Sequence, residues 1–432
     1  MICENISISK DGILEFAGVE VTQLAEKYGT PLYLLDEERI RNNCRIYKEV
    51  FKKYFGEDSY PLFASKALSF KGIYRIMEEE GMGIDVVSIG EMYTALKAGY
   101  DLSKAYFHSN NKTDDDIAYA MDNKIGCFVA DNVEEIKVIE REAEKRGIIQ
   151  KVMLRITPGI DPHTYKEVAT GKVDSKFGSA IETNQAHEIT HYTIKQPHCD
   201  LIGFHCHVGS QVFGENIFER AAFRMIDFIA ELKRELNFDC KVLDLGGGFG
   251  VKYTEDDPDM NLDEKIADVA EACQKACKRY NVKMPAIHME PGRSLVADAG
   301  MTLYTVGTVK QIPGFKNYVS VDGGMADNPR YAFYRSAYTC YIANKMFEEA
   351  DMKADLVGRC CESGDIIQPD IMVPSSVGRY DIAAVCTTGA YNYSMASNYN
   401  KLGIPPIVML NRGKDKLAVR RESLEDLISR DI

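Results

Sequence analysis

A lysine follows a short apolar stretch near the beginning of the chain. The segment "YPLFASKALSF", Tyr60 to Phe70, predicts a buried strand that runs into Lys66. Burying a lone ammonium group is costly unless the group is paired or loses its proton. A desolvated lysine can have a lowered pKa, and its neutral amine can form a Schiff base with an aldehyde. The alternative is a lysine that keeps its charged end in water.

Glycine-bearing turns follow two later apolar segments. The triplet Gly246 to Gly248 follows "KVLDL", and "EPGRS", Glu290 to Ser294, follows "AIHME". Glycine lets backbone N–H groups approach an anion such as a phosphate. A tight turn would explain either segment alone, but two such turns after neighbouring strands favour a phosphorylated ligand. A lysine that binds an aldehyde, together with a phosphate site, indicates pyridoxal phosphate, which carries both groups.

Two further side chains fit this cofactor. Glu290 can pair with the pyridine nitrogen and keep it protonated, and His207 can stack on the ring unless it is a structural histidine. The motif "HCH" also permits a zinc site, because His205 and His207 would point to the same face of a strand and His108 could join them. A metal site would leave Lys66 and the glycines unexplained, so no metal is expected.

Eight apolar or β-branched segments precede the reactive residues, with charged, helix-patterned intervals between them. The segments are "YPLFAS", "GIDVVS", "AYFHSN", "IGCFVA", "KVMLRI", "LIGFHCH", "KVLDL" and "AIHME". Eight β-then-α units over roughly 250 residues are typical of a (β/α)8 TIM-like barrel, whose active site lies at the C-terminal ends of the strands. We predict this barrel over residues 38–298, with Asp85, His108 and Arg155 also at strand ends.

The pattern changes after the barrel to β-rich segments with frequent turns, such as "GMTLYTVGTVKQI" and "YDIAAVCTTGAY". These segments predict a C-terminal antiparallel β-barrel or sandwich domain. The N-terminal "GILEFAGVEV" is also strand-like. The second domain of this α/β protein is therefore expected to be discontinuous, with residues 1–37 completing residues 299–432.

Composition excludes several classes of function. The 65 acidic and 52 basic side chains give a net charge of -13, which disfavours nucleic acid as a partner. No apolar run approaches the roughly 20 residues that a membrane span needs. Twelve irregularly spaced cysteines, and a beginning "MICENISISK" without a signal-peptide pattern, predict reduced thiols and a cytoplasmic location.

Nine motifs, in order along nearly the whole chain, resemble the fold-type III pyridoxal phosphate decarboxylases, and most closely the diaminopimelate decarboxylase family. The motifs are "YGTPLYLLDE", "FASKA", "GIDVVSIGEM", "HCHVGSQ", "LGGGFG", "EPGRS", "DGGMADNPR", "CCESGD" and "GAYNYSMASNYN". The resemblance implies a barrel with a β domain, pyridoxal 5′-phosphate as cofactor and a homodimer with shared active sites. The implied reaction is decarboxylation of meso-2,6-diaminopimelate at its D centre to L-lysine and carbon dioxide.

The resemblance also implies roles for matching positions. Lys66 would hold the cofactor, His207 would stack on it, and Cys361 would donate a proton. The other expected cofactor contacts are Asp85, Ser210, Gly247, Gly248, Glu290, Gly292, Arg293 and Tyr391. The expected substrate contacts are Arg293, Arg330, Tyr334, Glu362 and Tyr391. Two arginines and a tyrosine favour a distal carboxylate on the substrate. Cys361 and Glu362 would reach into the neighbouring subunit's site.

Two positions depart from the family pattern, because Tyr331 stands where many relatives have proline and Arg335 where they have glycine. The departures support one alternative, a related decarboxylase of another amino acid such as D-ornithine, lysine or a carrier-linked acyl amino acid. Another alternative is a non-catalytic protein that binds pyridoxal phosphate. Retention of Cys361 and Arg293 speaks against the second alternative.

Overall fold

The computed structural model describes residues 1–160, 174–213 and 216–432. The chain divides into two compact units. The barrel unit comprises Cys44–Gly250 and Met260–Gly292, and the β unit comprises Met1–Asn43, Val251–Asp259 and Arg293–Ile432. The predicted domain limits at residues 38 and 298 stay a prediction. Within the described ranges, no helix is long and apolar enough to cross a membrane.

The sheet of the barrel unit contains parallel strands at all eight predicted positions and a ninth short strand, Ser179–Ala180, that pairs with the fifth of them. The eight are Leu62–Ala64, Gly83–Val86, Ala105–Phe107, Cys127–Ala130, Gln150–Thr157, Cys199–His205, Val242–Asp244 and Ala286–His288. Each strand pairs with the next along the chain. The backbone N–H of Leu62 donates to the Met289 carbonyl oxygen at 2.8 Å, which brings the first strand beside the eighth and nearly closes the barrel. The (β/α)8 prediction is confirmed.

Helices alternate with these strands. They are Glu37–Phe55, Lys71–Glu79, Ile89–Ala98, Asp114–Asp122, Val133–Arg146, Gln185–Ile194, Ile217–Leu236 and Leu262–Tyr280. Side-chain caps begin some of them: the Asn132 side chain, for example, accepts a hydrogen bond from the Glu135 N–H. The helix that follows buries Ile136, Ile139 and Ala143, the face that the sequence predicts.

One apolar cluster joins five of the barrel strands. Its buried members are Leu62, Tyr106, Cys127, Val129, Met153 and Ile202. These side chains fill the barrel in the way that layered apolar residues do in this fold. The polar side chains that bear chemistry are therefore left at the C-terminal ends of the strands.

A buried ion pair lies beside the fourth barrel strand. Lys112 Nζ is 2.7 Å from Glu135 Oε1, and the two side chains are 0% and 2% exposed. Lys112 also donates to the Val129 carbonyl oxygen at 2.8 Å. Burial raises the pKa of Glu135, and the ammonium group of Lys112 opposes this rise.

We expect Lys112→Met to lower the free energy of unfolding by about 3–5 kcal/mol, because it leaves the buried Glu135 carboxyl without its cation. Lys137→Met is the matched control: Lys137 pairs with exposed Glu134 at 2.6 Å, and its loss should cost less than about 1 kcal/mol. Urea denaturation at neutral pH measures both. Equal midpoints for the two variants would contradict the expected contribution of the buried pair.

The β unit contains a sheet of nine strands. Seven follow one another across it in the order Ile366–Val373, Met352–Val357, Lys316–Val321, Gly300–Ile312, Leu32–Asp36, Ile407–Asn411 and Lys414–Val419. Ile382–Cys386 pairs with Gly300–Ile312, and Cys340–Ile342 pairs with Ile382–Cys386.

The sheet is mixed rather than wholly antiparallel, which corrects part of the prediction. Lys316–Val321 pairs in parallel with Met352–Val357, and Leu32–Asp36 pairs in parallel with Ile407–Asn411. Neither pair is joined by a tight hairpin, so long connections allow the parallel direction. The turn-rich sequence does not reveal which strands become neighbours.

N-terminal residues complete the β unit, as predicted. Leu32–Asp36 lies within the large sheet, and Ile6–Ile8, Leu14–Phe16 and Val19–Glu20 form a small antiparallel sheet. Their apolar side chains share one core with the later strands; for example, Leu14 packs with Met301 and Leu410 in the same cluster. The remaining short helices are Val21–Tyr28, Arg293–Val296, Arg330–Tyr334 and Leu424–Ile428.

Candidate active site

Lys66 lies on a single helical turn, Ser65–Ala67, directly after the first barrel strand. Its neighbours Ser65 and Ala67 are buried, but the lysine itself is exposed. The amine is therefore accessible to a ligand rather than buried, because the turn places it at the C-terminal end of the strand. It interacts electrostatically with the buried Asp85 and the half-buried His207.

Glu290 lies between two histidines just beyond the eighth strand. His108 Nε2 is 2.8 Å from Glu290 Oε1, and His205 Nε2 is 3.2 Å from Glu290 Oε2. All three side chains are buried. Burial alone would raise the pKa of Glu290, but His108 and His205 lower this pKa well below its usual range. Glu290 is therefore a buried anion, as pairing with a pyridinium requires.

Two other carboxyl groups share this environment. Burial raises the pKa of Asp244 well above its usual range, and the nearby Glu290 raises it further. Burial also raises the pKa of Asp85, while His108 opposes the rise. The barrel thus favours the charged form of Glu290 and the protonated form of Asp244. Opposite protonation of neighbouring carboxyls is typical of sites that handle protons.

The protonation of His207 follows from a backbone contact. The Gly247 N–H donates to His207 Nδ1 at 3.2 Å. Burial, followed by the charges of Lys66 and Arg155, lowers the pKa of His207 well below its usual value. The ring is therefore neutral and carries its proton on Nε2. A neutral, fixed imidazole suits stacking on a cofactor ring.

The predicted phosphate glycines pack tightly against neighbouring strand ends. A Cβ atom on Gly247 would lie 2.0 Å from the Glu290 carbonyl oxygen, and one on Gly248 would lie 2.1 Å from the Gly209 carbonyl oxygen. Gly248 also has a φ of +121°, which side chains rarely adopt. The glycine run brings its backbone beside Ser210, whose Cα would be 3.7 Å from that Cβ. A Cβ atom on Gly292 would meet those of Ala64 and Ala67 at 3.0 and 3.1 Å.

We expect Gly248→Ala to weaken pyridoxal phosphate binding by at least about tenfold, because the added methyl group forces the 246–248 backbone away from Gly209. Gly307→Ala is the control, since its nearest contact would be 3.7 Å and its φ is ordinary. Equilibrium dialysis of the cofactor compares the two variants. Unchanged affinity in Gly248→Ala would show that this backbone does not contribute to the cofactor site.

In the β unit, two arginines lie among tyrosine rings. Arg293 Nη1 donates to the Tyr253 hydroxyl at 2.7 Å, and its Cζ lies 4.9 Å from the Tyr391 ring centroid. Arg330 Cζ lies 5.4 Å from the same ring and 5.6 Å from that of Tyr334. The structure thus brings together four of the predicted residues, and Tyr253 is one that sequence reasoning missed.

Arg330 is 6% exposed, and its Nη2 donates to Ser336 Oγ at 3.1 Å. Among the residues described, it has no carboxylate partner within ion-pair distance, and its buried Nε has no hydrogen-bond partner. A buried guanidinium without a carboxylate partner is suited to bind an anionic ligand such as a carboxylate.

Tyr331 and Arg335, the two residues that depart from the family pattern, contact each other at the helix Arg330–Tyr334. Arg335 is exposed, has a left-handed φ of +55°, and ends the helix Arg330–Tyr334. Its Cζ lies 5.2 Å from the Tyr331 ring centroid.

The adjacent cysteines differ in environment. Cys360 is buried, its N–H donates to Asp365 Oδ2 at 2.6 Å, and burial raises the pKa of its thiol to about 11. Cys361 and Glu362 are exposed in the single chain, and the Cys361 N–H donates to Asn400 Oδ1 at 2.8 Å. The exposed thiol is the one that sequence matching selects.

The residues of the barrel unit fit pyridoxal phosphate in the chemistry they offer. They provide an accessible amine at Lys66, a buried anion at Glu290, a neutral ring at His207 and closely packed glycine backbone.

His108, His205 and Glu290 also place their polar atoms within 4.8 Å of one another, a spacing that a metal ion could use. Sequence reasoning missed Asp244, whose carboxyl in the otherwise apolar "VLDL" was the available signal.

Comparisons with known proteins agree with this chemistry. Residues 37–297 match the family described as "Pyridoxal-dependent decarboxylase, pyridoxal binding domain". The chain is 43% identical to diaminopimelate decarboxylase of Bacillus subtilis, over 98% of this chain and 96% of that protein. It is 32% identical to the crystal structure of diaminopimelate decarboxylase from M. jannaschii in complex with L-lysine, with a TM-score of 0.92 and coverage of 100% and 98%. The Helicobacter pylori enzyme complexed with L-lysine is 30% identical, with a TM-score of 0.85 and coverage of 95% and 98%.

Proposed function

The chain belongs to the pyridoxal-dependent decarboxylases and, among them, to the diaminopimelate decarboxylases, and from this membership we infer that it converts meso-2,6-diaminopimelate to L-lysine and carbon dioxide. The enzyme is a carboxy-lyase whose cofactor is pyridoxal 5′-phosphate. The observation that carries this function is an accessible lysine at the mouth of a barrel that also holds a buried glutamate anion.

Bound pyridoxal phosphate supplies an electron sink for the bond that breaks. The proposed contribution of the chain begins with Lys66, whose accessible amine would hold the cofactor. Glu290 would accept a hydrogen bond from the protonated pyridine nitrogen, and His207, with its proton on Nε2, would pack on the ring. Ser210, Gly247 and Gly248 would bind the phosphate. Asp85, Gly292, Arg293 and Tyr391 are the remaining proposed cofactor contacts.

We propose that Arg293, Arg330 and Tyr334 bind the distal carboxylate of the substrate, with Tyr391 beside them. The Arg330 environment described above supports this assignment, because a buried guanidinium gains most from a carboxylate. Glu362 is proposed to bind the distal ammonium group. The Cys361 thiol is proposed to deliver the proton that replaces the lost carboxylate, since a thiol pKa can be adjusted to this purpose.

Release of carbon dioxide from a panel of diamino acids tests this function. We expect turnover of meso-diaminopimelate and none of the L,L isomer, which lacks a D centre. Because D-lysine lacks the distal carboxylate, its kcat/KM should be at least about a hundredfold lower. Faster turnover of D-lysine or D-ornithine would instead indicate a related decarboxylase. Cofactor binding without carbon dioxide release from any diamino acid would indicate a non-catalytic protein.

We propose that the working enzyme is a cytoplasmic homodimer in which Cys361 and Glu362 serve the partner's site. Exposure of both residues in the single chain supports this arrangement. All twelve cysteines are free thiols, which suits a reducing compartment.

Mixing two inactive variants tests the shared site. We expect Lys66→Ala and Cys361→Ala, unfolded and refolded together in equal amounts, to recover about a quarter of wild-type activity. About half of the dimers would be hybrids, and each hybrid would have one intact site. Each variant refolded alone is the control. No recovery, with hybrids demonstrated by mass spectrometry, would mean that each site uses its own Cys361.

A further inference from the structure

Three buried carboxyl groups lie close together at one end of the barrel. Asp85, Asp244 and Glu290 are 3%, 0% and 7% exposed, and each influences the ionisation of another. Burial raises the pKa of Asp85 only to about 6, so Asp85 is mainly charged at neutral pH, whereas the pKa of Asp244 lies well above its usual range and Asp244 is protonated. The neighbouring carboxyls Asp244 and Glu290 therefore differ in charge, and the contacts around them decide which of the two is the anion.

His205 contacts Glu290 through only one of its ring nitrogens. Its Nε2 is 3.2 Å from Glu290 Oε2, while its Nδ1 is buried and has no hydrogen-bond partner among the residues described. Burial lowers the pKa of His205 to about 4, so the ring is neutral at neutral pH. A neutral imidazole has one N–H, and only Nε2 faces an acceptor. The proton therefore lies on Nε2 and is donated to Glu290.

His108 contacts the other oxygen of the same carboxylate. Its Nε2 is 2.8 Å from Glu290 Oε1, and its ring meets that of His205 edge to face with centroids 4.8 Å apart. Each oxygen of Glu290 thus lies beside one imidazole, through a hydrogen bond with His205 and a close ion-pair contact with His108. Glu290 Oε1, Asp244 Oδ2 and Asp85 Oδ1 all lack a partner with hydrogen-bond geometry among the described residues, and Asp244 Oδ1 accepts from the Gly246 N–H at 2.8 Å. Glu290 differs from the other two in the imidazole nitrogens that lie 2.8 and 3.2 Å from its oxygens.

We infer that His205 and His108 are positioning residues that make Glu290, rather than the neighbouring Asp244, the oriented anion that holds the pyridine nitrogen of the cofactor. The inference rests on the proposed function, because it concerns the same cofactor. We therefore expect the pyridine nitrogen of the cofactor to stay protonated only while the N–H of His205 donates to Glu290. The competing explanation is that the two histidines merely fill the barrel.

Substitutions that move or remove one N–H separate these explanations. In His205→Gln the side-chain amide reaches the place of Nε2, in His205→Asn it reaches only the place of Nδ1, and in His205→Leu no donor remains. His288→Leu is the matched control, since His288 is also 1% exposed in the barrel but packs on Tyr60, with ring centroids 4.0 Å apart. Each variant is loaded with pyridoxal phosphate labelled with ¹⁵N in the ring, and the ¹⁵N chemical shift reports whether that nitrogen is protonated.

We expect a protonated ring nitrogen in the wild type, His205→Gln and His288→Leu. In His205→Leu and His205→Asn the signal should move toward the unprotonated form, and the cofactor dissociation constant should rise about tenfold or more. Unfolding temperatures identify any variant that fails to fold, and either of the last two variants suffices for the comparison. A wild-type signal in folded His205→Leu, or equal shifts in Gln and Leu variants, would overturn the inference. A wild type that binds no pyridoxal phosphate would instead overturn the proposed function.

Discussion

Replacing Lys66 by alanine is expected to lower kcat for meso-diaminopimelate by about four orders of magnitude or more, the usual scale for loss of a covalent catalytic group. Alanine has no amine to hold the aldehyde of the cofactor or to exchange with the amine of the substrate. The absorption band of the covalently bound cofactor should disappear as well. Initial rates of carbon dioxide release and visible spectra measure the two effects on one preparation.

Lys71→Ala is the matched control for this prediction. Lys71 is also exposed and lies five positions later, at the beginning of the helix Lys71–Glu79. Its loss should leave both the rate and the spectrum near those of the wild type. Retention of more than about a hundredth of the activity in Lys66→Ala would show that another group holds the cofactor.

Replacing Arg330 by methionine is expected to lower kcat/KM for meso-diaminopimelate by about a hundredfold to a thousandfold. The substitution removes a buried cation that has no carboxylate partner among the described residues and is proposed to pair with the distal carboxylate of the substrate. Truncating one side of a buried charge pair is costly, because the other charge is left unpaired. Cofactor binding should change little. Because D-lysine lacks the distal carboxylate, its slow turnover should be nearly unaffected, so the variant should lose substrate discrimination.

Arg335→Met provides the comparison, since this exposed guanidinium follows the same short helix and contacts Tyr331 instead. Its kcat/KM should stay within about threefold of the wild type. Equal losses for meso-diaminopimelate and D-lysine in Arg330→Met would exclude a dedicated contact with the distal carboxylate. They would point to a general disturbance of the helix Arg330–Tyr334.

Much of the barrel follows from local sequence patterns. Each strand is a short apolar run, each helix has one apolar face, and the reactive residues follow the strands, so the alternation places Lys66 and Glu290 at the same end of the barrel. The mixed sheet was not predicted, because the pairing of Leu32–Asp36 with Ile407–Asn411 joins segments from opposite ends of the chain. No local pattern encodes such a pairing.

Residue types in the site were easier to predict than their protonation. The motifs identify Glu290 and His207, but the charge on Glu290 depends on His108 and His205, which come from two other strands. The tautomer of His207 likewise depends on the N–H of Gly247, and the raised pKa of Asp244 depends on burial. These properties arise from contacts between residues far apart in sequence.

Catalysis by this chain requires that pyridoxal phosphate be attached to one amine, that of Lys66. Borohydride reduction of the cofactor-loaded protein, followed by proteolysis and mass spectrometry, tests this attachment directly. We predict a single modified peptide that carries reduced pyridoxyl phosphate on Lys66. Modification of a different lysine, or recovery of the Lys66 peptide unmodified, would contradict the account.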